Sequence, residues 1–307
     1  MLRLTFRRSV VALLLVGLAW GARGLEAQRR KQLFVSVMES NGTPVAGLEP
    51  GDVKVFEDDA VGNTVKVEPI DWPMKLTVLV DNGSRSSDYL SDLRVGLRGL
   101  FNEIPDGVEM SLLTLAPQPR WVVRPTTDLE QTIRSVDLIS PDGAAGKFWD
   151  GLAEAGTRIE KAKGEYFPVI VMVASDVGGR EVPLQHEYER LQKQIGERAI
   201  TVHFVLITTG SQSLGKTTGS LQTNVGIAMT ELSGGRYEGI NSHSRIATLL
   251  PEIGRQIANS HFRQTHQYRV TYEPPPGSST GPKSVVVRIA SRGVALSITP
   301  TMNGRLP

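Results

Sequence analysis

Two apolar runs in this 307-residue chain each end in an aspartate, and this feature constrains the fold more than any other. Asp81 follows the run Leu76–Val80, and Asp176 follows the run Val169–Ser175. Apolar runs of this length are typical of strands that are buried on both faces of a parallel sheet. Because ligands of open α/β sheets bind at the carboxyl ends of the strands, we expect the two carboxylates to share one crevice.

The first 27 residues have the layout of a secretory signal peptide. Three arginines (Arg3, Arg7 and Arg8) precede the apolar stretch Val10–Trp20, and small residues follow as far as Ala27. This stretch is shorter than a typical membrane-spanning helix. We therefore predict that the signal peptide is cleaved and that the protein is periplasmic or secreted, with no stable membrane span. A retained N-terminal anchor is the alternative.

Charge and cysteine content exclude several kinds of site. Removing residues 1–27 takes away four arginines and one glutamate, which changes the formal net charge from +2 to −1. A chain with this charge has no electrostatic support for nucleic-acid binding. Since the sequence contains no cysteine, it forms neither a disulfide nor a thiolate metal site.

The pattern of apolar residues divides the remaining chain into three segments. Residues 28–73 and 263–307 show short β-type runs between turn residues, whereas residues 74–262 alternate apolar strands with amphipathic helices. Neither β segment is large enough to bury a sheet face by itself. We therefore predict an α/β fold, a three-layer, doubly wound, mostly parallel sheet, inserted into a small β-sandwich formed by the N- and C-terminal strands.

Several motifs resemble one known family. Asn41–Leu48, followed by Val53–Asp58, is similar to that family's leading G-x-P-V-x-G-L segment and the strand after it, and Ala144–Leu152 is similar to its G-G-T-x-L-Y-D-A-L loop. Together with the turn at Asp81, these motifs resemble the von Willebrand factor type A domain, and in particular a bacterial exported group of related proteins. The resemblance implies a von Willebrand A-like α/β domain.

In that family a divalent ion is held by an Asp-x-Ser-x-Ser turn, a threonine from a later loop and a second aspartate. Matched position by position, the two aspartates are Asp81 and Asp176. The serine positions hold Gly83 and Arg85, and the threonine position holds Gly146. Mg²⁺ needs near-octahedral oxygen coordination, and glycine side chains supply no oxygen. The resemblance therefore implies a degenerate metal ion-dependent adhesion site.

The serine-rich turn leaves a second register open. A shift by one residue would place Ser84 and Ser86 beside the aspartates, so a Mg²⁺ site held by Asp81 and Asp176 stays an alternative. We expect instead that no cofactor is needed and that Arg85 pairs with one of these two aspartates. The predicted ligand-binding crevice consists of Asp81, Ser84, Arg85, Ser86, Gly146 and Asp176.

One further motif indicates nucleotide binding. Gly210–Thr217 matches the phosphate-binding pattern G-x-x-x-x-G-K-[ST] and follows a strand. However, Thr218–Ser220 continues as a loop, whereas a phosphate site requires that a helix begin directly after the motif. If this segment binds no nucleotide, we interpret it as a Gly/Ser/Thr loop at the edge of the sheet that faces ligands.

These observations predict a non-catalytic binding or adhesion protein. We expect it to recognise a protein or cell-surface polymer through the loops that follow Val80, Ile139, Ala174 and Ile207. Two alternatives stay open. One is a nucleotide-binding hydrolase that uses Lys216 and Thr217, and the other is a purely structural component of an envelope assembly.

Overall fold

The structure is a computed structural model that describes residues 30–176, 183–208, 221–277 and 284–289 and the backbone of 295–299. The predicted signal peptide, residues 1–27, and the loop Gly210–Thr217 lie outside the described residues. Within the described ranges, no helix combines the length and the apolar character needed to cross a membrane.

The elements follow one another in this order along the chain. The strands are β1 (Lys31–Met38), β2 (Val53–Glu57), β3 (Ala60–Val61), β4 (Asn63–Ile70), β5 (Met74–Val80), β6 (Glu109–Thr114), β7 (Arg120–Thr126), β8 (Phe167–Ser175), β9 (Thr201–Ile207), β10 (Tyr237–Ile240), β11 (Gln267–Glu273), β12 (Val285–Ile289) and β13 (Ala295–Thr299). The α-helices are α1 (Leu90–Asn102), α2 (Leu129–Ser135), α3 (Phe148–Lys161), α4 (Gln185–Arg198), α5 (Leu221–Ser233) and α6 (Arg245–Gln264).

A six-stranded sheet forms the centre of the α/β part of the chain. Its strand order is β10-β9-β8-β5-β6-β7, and every pair is parallel except β6 with β7. All nine residues of β8 are buried, as expected of a central strand covered on both faces. The predicted α/β class with a mostly parallel sheet is confirmed.

Helices cover both faces of this sheet, which gives three layers. Alternate residues of β5 point to opposite sides, so Val78 packs in the core formed with α1 and α6, and Leu79 packs in the core formed with α3, α4 and α5. Glycine allows α1 and α6 to approach closely, because a Cβ atom at Gly96 would lie 2.6 Å from the carbonyl oxygen of Ile246.

Two features of the α/β part differ from the sequence-based expectation. The apolar spacing of Arg245–Ile257 predicts a helix that ends at Ile257, but α6 continues to Gln264 because neither glycine nor proline interrupts residues 258–264. Strand β10 was not predicted, since four residues with Gly239 in the middle are too short to show a period of two. β10 forms an edge strand of the sheet and pairs with β9.

The strands on either side of the α/β part form a separate compact unit. Among the described residues, this unit comprises those of 30–69 and 268–299, and the second comprises those of 70–267. The first unit contains a four-stranded sheet with the order β13-β1-β11-β4 and a three-stranded sheet with the order β12-β2-β3. Residues from both ends of the chain share its core, for example Val35 and Val55 with Val270 and Val287.

Candidate functional site

Both aspartates predicted from the apolar runs lie at the carboxyl edge of the sheet. The backbone N–H of Asp81 donates to the carbonyl oxygen of Val173 at 2.8 Å, and that of Asp176 donates to Ile207 at 3.0 Å. These bonds continue the β5–β8 and β8–β9 ladders just beyond the carboxyl ends of β5 and β8. Asp81 is only 3% exposed, whereas Asp176 is half-buried.

The carboxylate of Asp81 is bonded by donors from its own turn and from β8. Its Oδ1 accepts the N–H of Gly83 at 2.8 Å, and its Oδ2 accepts the N–H of Ser175 at 3.2 Å. The hydroxyl group of Ser175 also donates to Oδ2. These three donors hold the carboxylate in a position where little water reaches it.

The loop after α2 is pinned to the turn that follows β5. Asn82 makes most of the connections: its Nδ2 donates to Ser140, its Oδ1 accepts from Ala116, and its carbonyl oxygen accepts from Asp142. The N–H of Ser84 adds a bond to the carbonyl oxygen of Ala144 at 2.9 Å. These bonds fix the backbone of both loops relative to Asp81.

The pinned loop places Gly146 directly against Asp81. A Cβ atom at Gly146 would lie 2.2 Å from Asp81 Oδ1 and 2.6 Å from its Cγ, which is far inside van der Waals contact. A Cβ atom at Gly83 would lie 2.8 Å from the nitrogen of Gly146 and 2.9 Å from the carbonyl oxygen of Ala144. Two of the three positions that correspond to metal-binding hydroxyl residues, Gly83 and Gly146, therefore lack room for any side chain.

The arrangement does not fit a divalent ion. Gly83 and Gly146 supply no side-chain oxygen, and the backbone of Gly146 occupies the space beside the carboxylate of Asp81. Among the described residues, no group of three or more His, Cys, Asp or Glu side chains is placed to hold a metal. The alternative register, in which Ser84 and Ser86 are the ligands, hardly improves the fit to a metal ion, because Ser84 is exposed while Ser86 is fully buried.

The predicted ion pair between Arg85 and Asp81 or Asp176 is wrong. Arg85 Nε lies 3.0 Å from Asp88 Oδ2, and both side chains of this pair are nearly half exposed. A partner three residues away is reached with less loss of chain entropy than a partner across the crevice. Arg85 therefore lies at the rim of the crevice and does not neutralise its floor.

We expect that Arg85→Ser changes the free energy of unfolding by less than about 0.5 kcal/mol, since an exposed i,i+3 ion pair contributes little. Urea denaturation of both proteins at neutral pH measures this difference. A loss of about 2 kcal/mol or more, as expected for a removed buried counter-charge, would contradict the exposed position.

Three residues of the site were not identified from the sequence, namely Asn82, Ser175 and Tyr89. Tyr89 is 1% exposed and donates its hydroxyl to the carbonyl oxygen of Asp81 at 3.1 Å. Burial, followed by the negative charge of Asp81, raises the pKa of Tyr89 far above its usual value. In the sequence, the only indication that Ser175 and Asn82 belong to the site is their position next to the two aspartates.

Comparisons with known proteins identify the fold. No family model matches the sequence, and no curated protein matches it either. A solved von Willebrand factor type A protein from Catenulispora acidiphila matches with 11% identity and a TM-score of 0.51, over 90% of this chain and 74% of that chain. The α/β unit therefore has a von Willebrand A-like fold.

Two other solved structures are similar over about three fifths of this chain. BatB from Bacteroides thetaiotaomicron shows 12% identity and a TM-score of 0.43, over 61% of this chain and 99% of that chain. Proximal thread matrix protein 1 from the mussel byssus, solved with a zinc-occupied MIDAS motif, shows 14% identity and a TM-score of 0.47, over 62% of this chain and 49% of that chain.

Proposed function

We propose that this protein is an exported, non-catalytic binding module that holds a protein or a cell-surface polymer without a divalent ion. The observation that carries the proposal is the contact between Gly146 and Asp81. A Cβ atom at Gly146 would lie 2.2 Å from Asp81 Oδ1, so this position can add no side-chain oxygen beside the carboxylate. The signal-like residues 1–27 support export to the periplasm or beyond.

The rim of the crevice supplies the surface for recognition. Ser84, Arg85, Ser87, Pro141 and Ala145 are exposed, and they lie on the two loops that the bonds of Asn82 hold together. Loops on a rigid scaffold are common recognition elements, and a fixed backbone reduces the entropy lost on binding. At the floor, in contrast, the carboxylate of Asp81 is bonded internally by Gly83 and Ser175, and the hydroxyl group of the buried Ser86 has no hydrogen-bond partner among the described residues.

The metal-free site is tested directly by calorimetry. We expect no binding of Mg²⁺ or Mn²⁺ at millimolar concentrations to the mature protein, because the coordination sphere lacks oxygen ligands. Thermal unfolding with and without each ion should give the same midpoint. Micromolar affinity for Mg²⁺ that is lost in Asp81→Ala would show that the site is intact and would refute this part of the proposal.

The binding surface is tested by capture from envelope extracts. Ala145→Arg places a long charged side chain on the exposed rim and should abolish capture of any partner that binds there. Asn102→Arg is the matched control, because Asn102 is also exposed but lies at the far end of α1, away from the crevice. A partner lost equally in both variants, or in neither, would argue against this surface, and no partner at all would favour the structural alternative.

The nucleotide alternative makes a separate prediction. If Gly210–Thr217 is a simple loop, ATP and GTP should leave the melting temperature unchanged in both the parent protein and Lys216→Ala. A true nucleotide site would stabilise the fold by about 2.7 kcal/mol at a hundredfold excess of ligand over its dissociation constant, which is readily detected. A shift that Lys216→Ala abolishes would favour the hydrolase over the binding module.

A further inference from the structure

A cavity of about 180 Å³ lies between the six-stranded sheet and α3. It is placed at the amino-terminal ends of β5 and β6, where Lys75, Thr77 and Ser111 line it. Asp81 follows the opposite end of β5, six residues from Lys75, which corresponds to roughly 20 Å along an extended strand. The cavity is therefore separate from the crevice at Asp81 and plays no part in the proposed function.

Two aromatic rings form walls of this cavity, and a cation covers each of them. The Arg158 guanidinium carbon lies 3.9 Å from the centre of the Trp121 ring, and Lys75 Nζ lies 4.9 Å from the centre of the Tyr166 ring. Contacts between cations and ring faces at these distances are attractive. They hold both positive groups at the wall of the cavity instead of leaving them free in solvent.

Each positive group at the cavity has a carboxylate partner. Lys75 and Arg158 are positive, and Glu109, whose Oε1 lies 3.2 Å from Lys75 Nζ, is the one carboxylate among the lining residues. Arg158 also pairs with Glu154 on the helix surface through Nε and Nη2. Its Nη1 is buried and has no hydrogen-bond partner among the described residues. A buried N–H group without an acceptor is unfavourable, so a ligand oxygen at this nitrogen would be stabilising.

Two hydroxyl groups in the cavity have weak partners. Ser111 is 3% exposed, and its Oγ lies 3.4 Å from the carbonyl oxygen of Leu76 and 3.3 Å from Thr77 Oγ1. Both distances exceed the usual range for a hydroxyl donor. Either hydroxyl could therefore turn to a ligand without losing a strong bond, because each combines one donor with two acceptor positions.

We propose that this cavity binds a small monoanion with a planar apolar body, of the aromatic monocarboxylate class. The carboxylate of the ligand accepts hydrogen bonds from Nη1 of Arg158 and from the hydroxyl groups of Thr77 and Ser111. The ring of the ligand fills the space beside Ala155 and Ile159. An apolar cavity of about 150 Å³ is known to hold a benzene ring, so the volume suits this class. The single N–H group without a partner, Nη1 of Arg158, favours one carboxylate over a dianion.

The probe is sodium benzoate, titrated into the full mature protein and followed by amide chemical shifts. We expect shifts at Thr77, Ser111 and Arg158, and an affinity at least about tenfold higher than for benzyl alcohol, which has a similar shape without the charge. Benzylamine should not bind. Equal affinity for benzoate and benzyl alcohol, or shifts that cluster elsewhere, would overturn the proposal.

Two variants test the assigned contacts. Arg158→Gln should weaken benzoate about tenfold, since a hydrogen bond to a charged group is lost. Arg134→Gln, which removes a similar i,i+4 pair with Glu130 on α2, should leave the affinity unchanged. Thr77→Val keeps the shape and removes one hydroxyl, and should weaken benzoate about threefold. If Arg158→Gln does not fold, Thr77→Val decides: unchanged affinity in that variant overturns the proposal.

Discussion

Replacing Gly146 by threonine should destabilise the protein by about 3 kcal/mol or more, although this change restores the residue type expected from the family resemblance. The new Cβ atom would lie 2.2 Å from Asp81 Oδ1, so either the loop or the carboxylate must move. Overpacking of this kind costs roughly 1–3 kcal/mol. Displacing the carboxylate from its donors on Gly83 and Ser175 adds a similar amount.

Gly143→Thr is the matched control for this substitution. Gly143 lies in the same loop and is exposed, and a Cβ atom added to it would have no neighbour within 4 Å. We expect the control to change the free energy of unfolding by no more than about 0.5 kcal/mol. Urea denaturation of both variants, with and without Mg²⁺, measures the effect. A Gly146→Thr protein that is as stable as the control, or that Mg²⁺ stabilises, would show that the loop adapts readily into a metal site.

This result also decides whether a simple set of substitutions could rebuild the metal site. From the sequence alone, Gly83→Ser, Arg85→Ser and Gly146→Thr together would restore the oxygen ligands. In the structure two of these three positions are closed by backbone atoms or by Asp81 itself. Rebuilding the site would require moving the loop that Asn82 holds, so we expect the triple variant to be unstable rather than metal-dependent.

The location of the site could be predicted from the sequence, but its internal contacts could not. The carboxyl edge follows from two apolar runs and the rule that parallel strands end on the same side. Ser175 and Gly146 are 94 and 65 positions away from Asp81 in the sequence. Their contacts to Asp81 therefore depend on the path of the chain between these residues. Such contacts are determined by loop paths, for which the sequence shows no period and no motif.

The predicted ion pair of Arg85 is wrong for a different reason. Its partner Asp88 is three residues away and could have been identified from the sequence. The family resemblance drew attention to the aspartates of the crevice instead. When a charged residue has both a local and a distant candidate partner at an exposed turn, the local one needs less ordering of the chain and is the better prediction.

Acid should destabilise the protein through His203, a residue outside the crevice. His203 lies on β9, is 2% exposed, and accepts the backbone N–H of Arg236 on its Nδ1 at 3.2 Å. Burial, followed by the charge of Arg236, lowers the pKa of His203 from 6.5 to about 4 in the folded protein. Between these two values the unfolded chain binds a proton that the folded protein does not. Stability is therefore complete above about pH 6.5 and falls as the pH decreases towards 4.

The expected loss is about 3 kcal/mol, since each unit of pKa difference corresponds to 1.36 kcal/mol. His203→Asn should remove this part of the acid dependence, because the amide oxygen can still accept the N–H of Arg236 and does not titrate. His186→Asn, which changes an exposed histidine on α4, should keep the parent profile. Urea denaturation of the three proteins at pH 7 and pH 4 gives one difference in stability for each. If His203→Asn loses as much stability in acid as the parent protein does, the buried imidazole is not the cause and other groups must account for the loss.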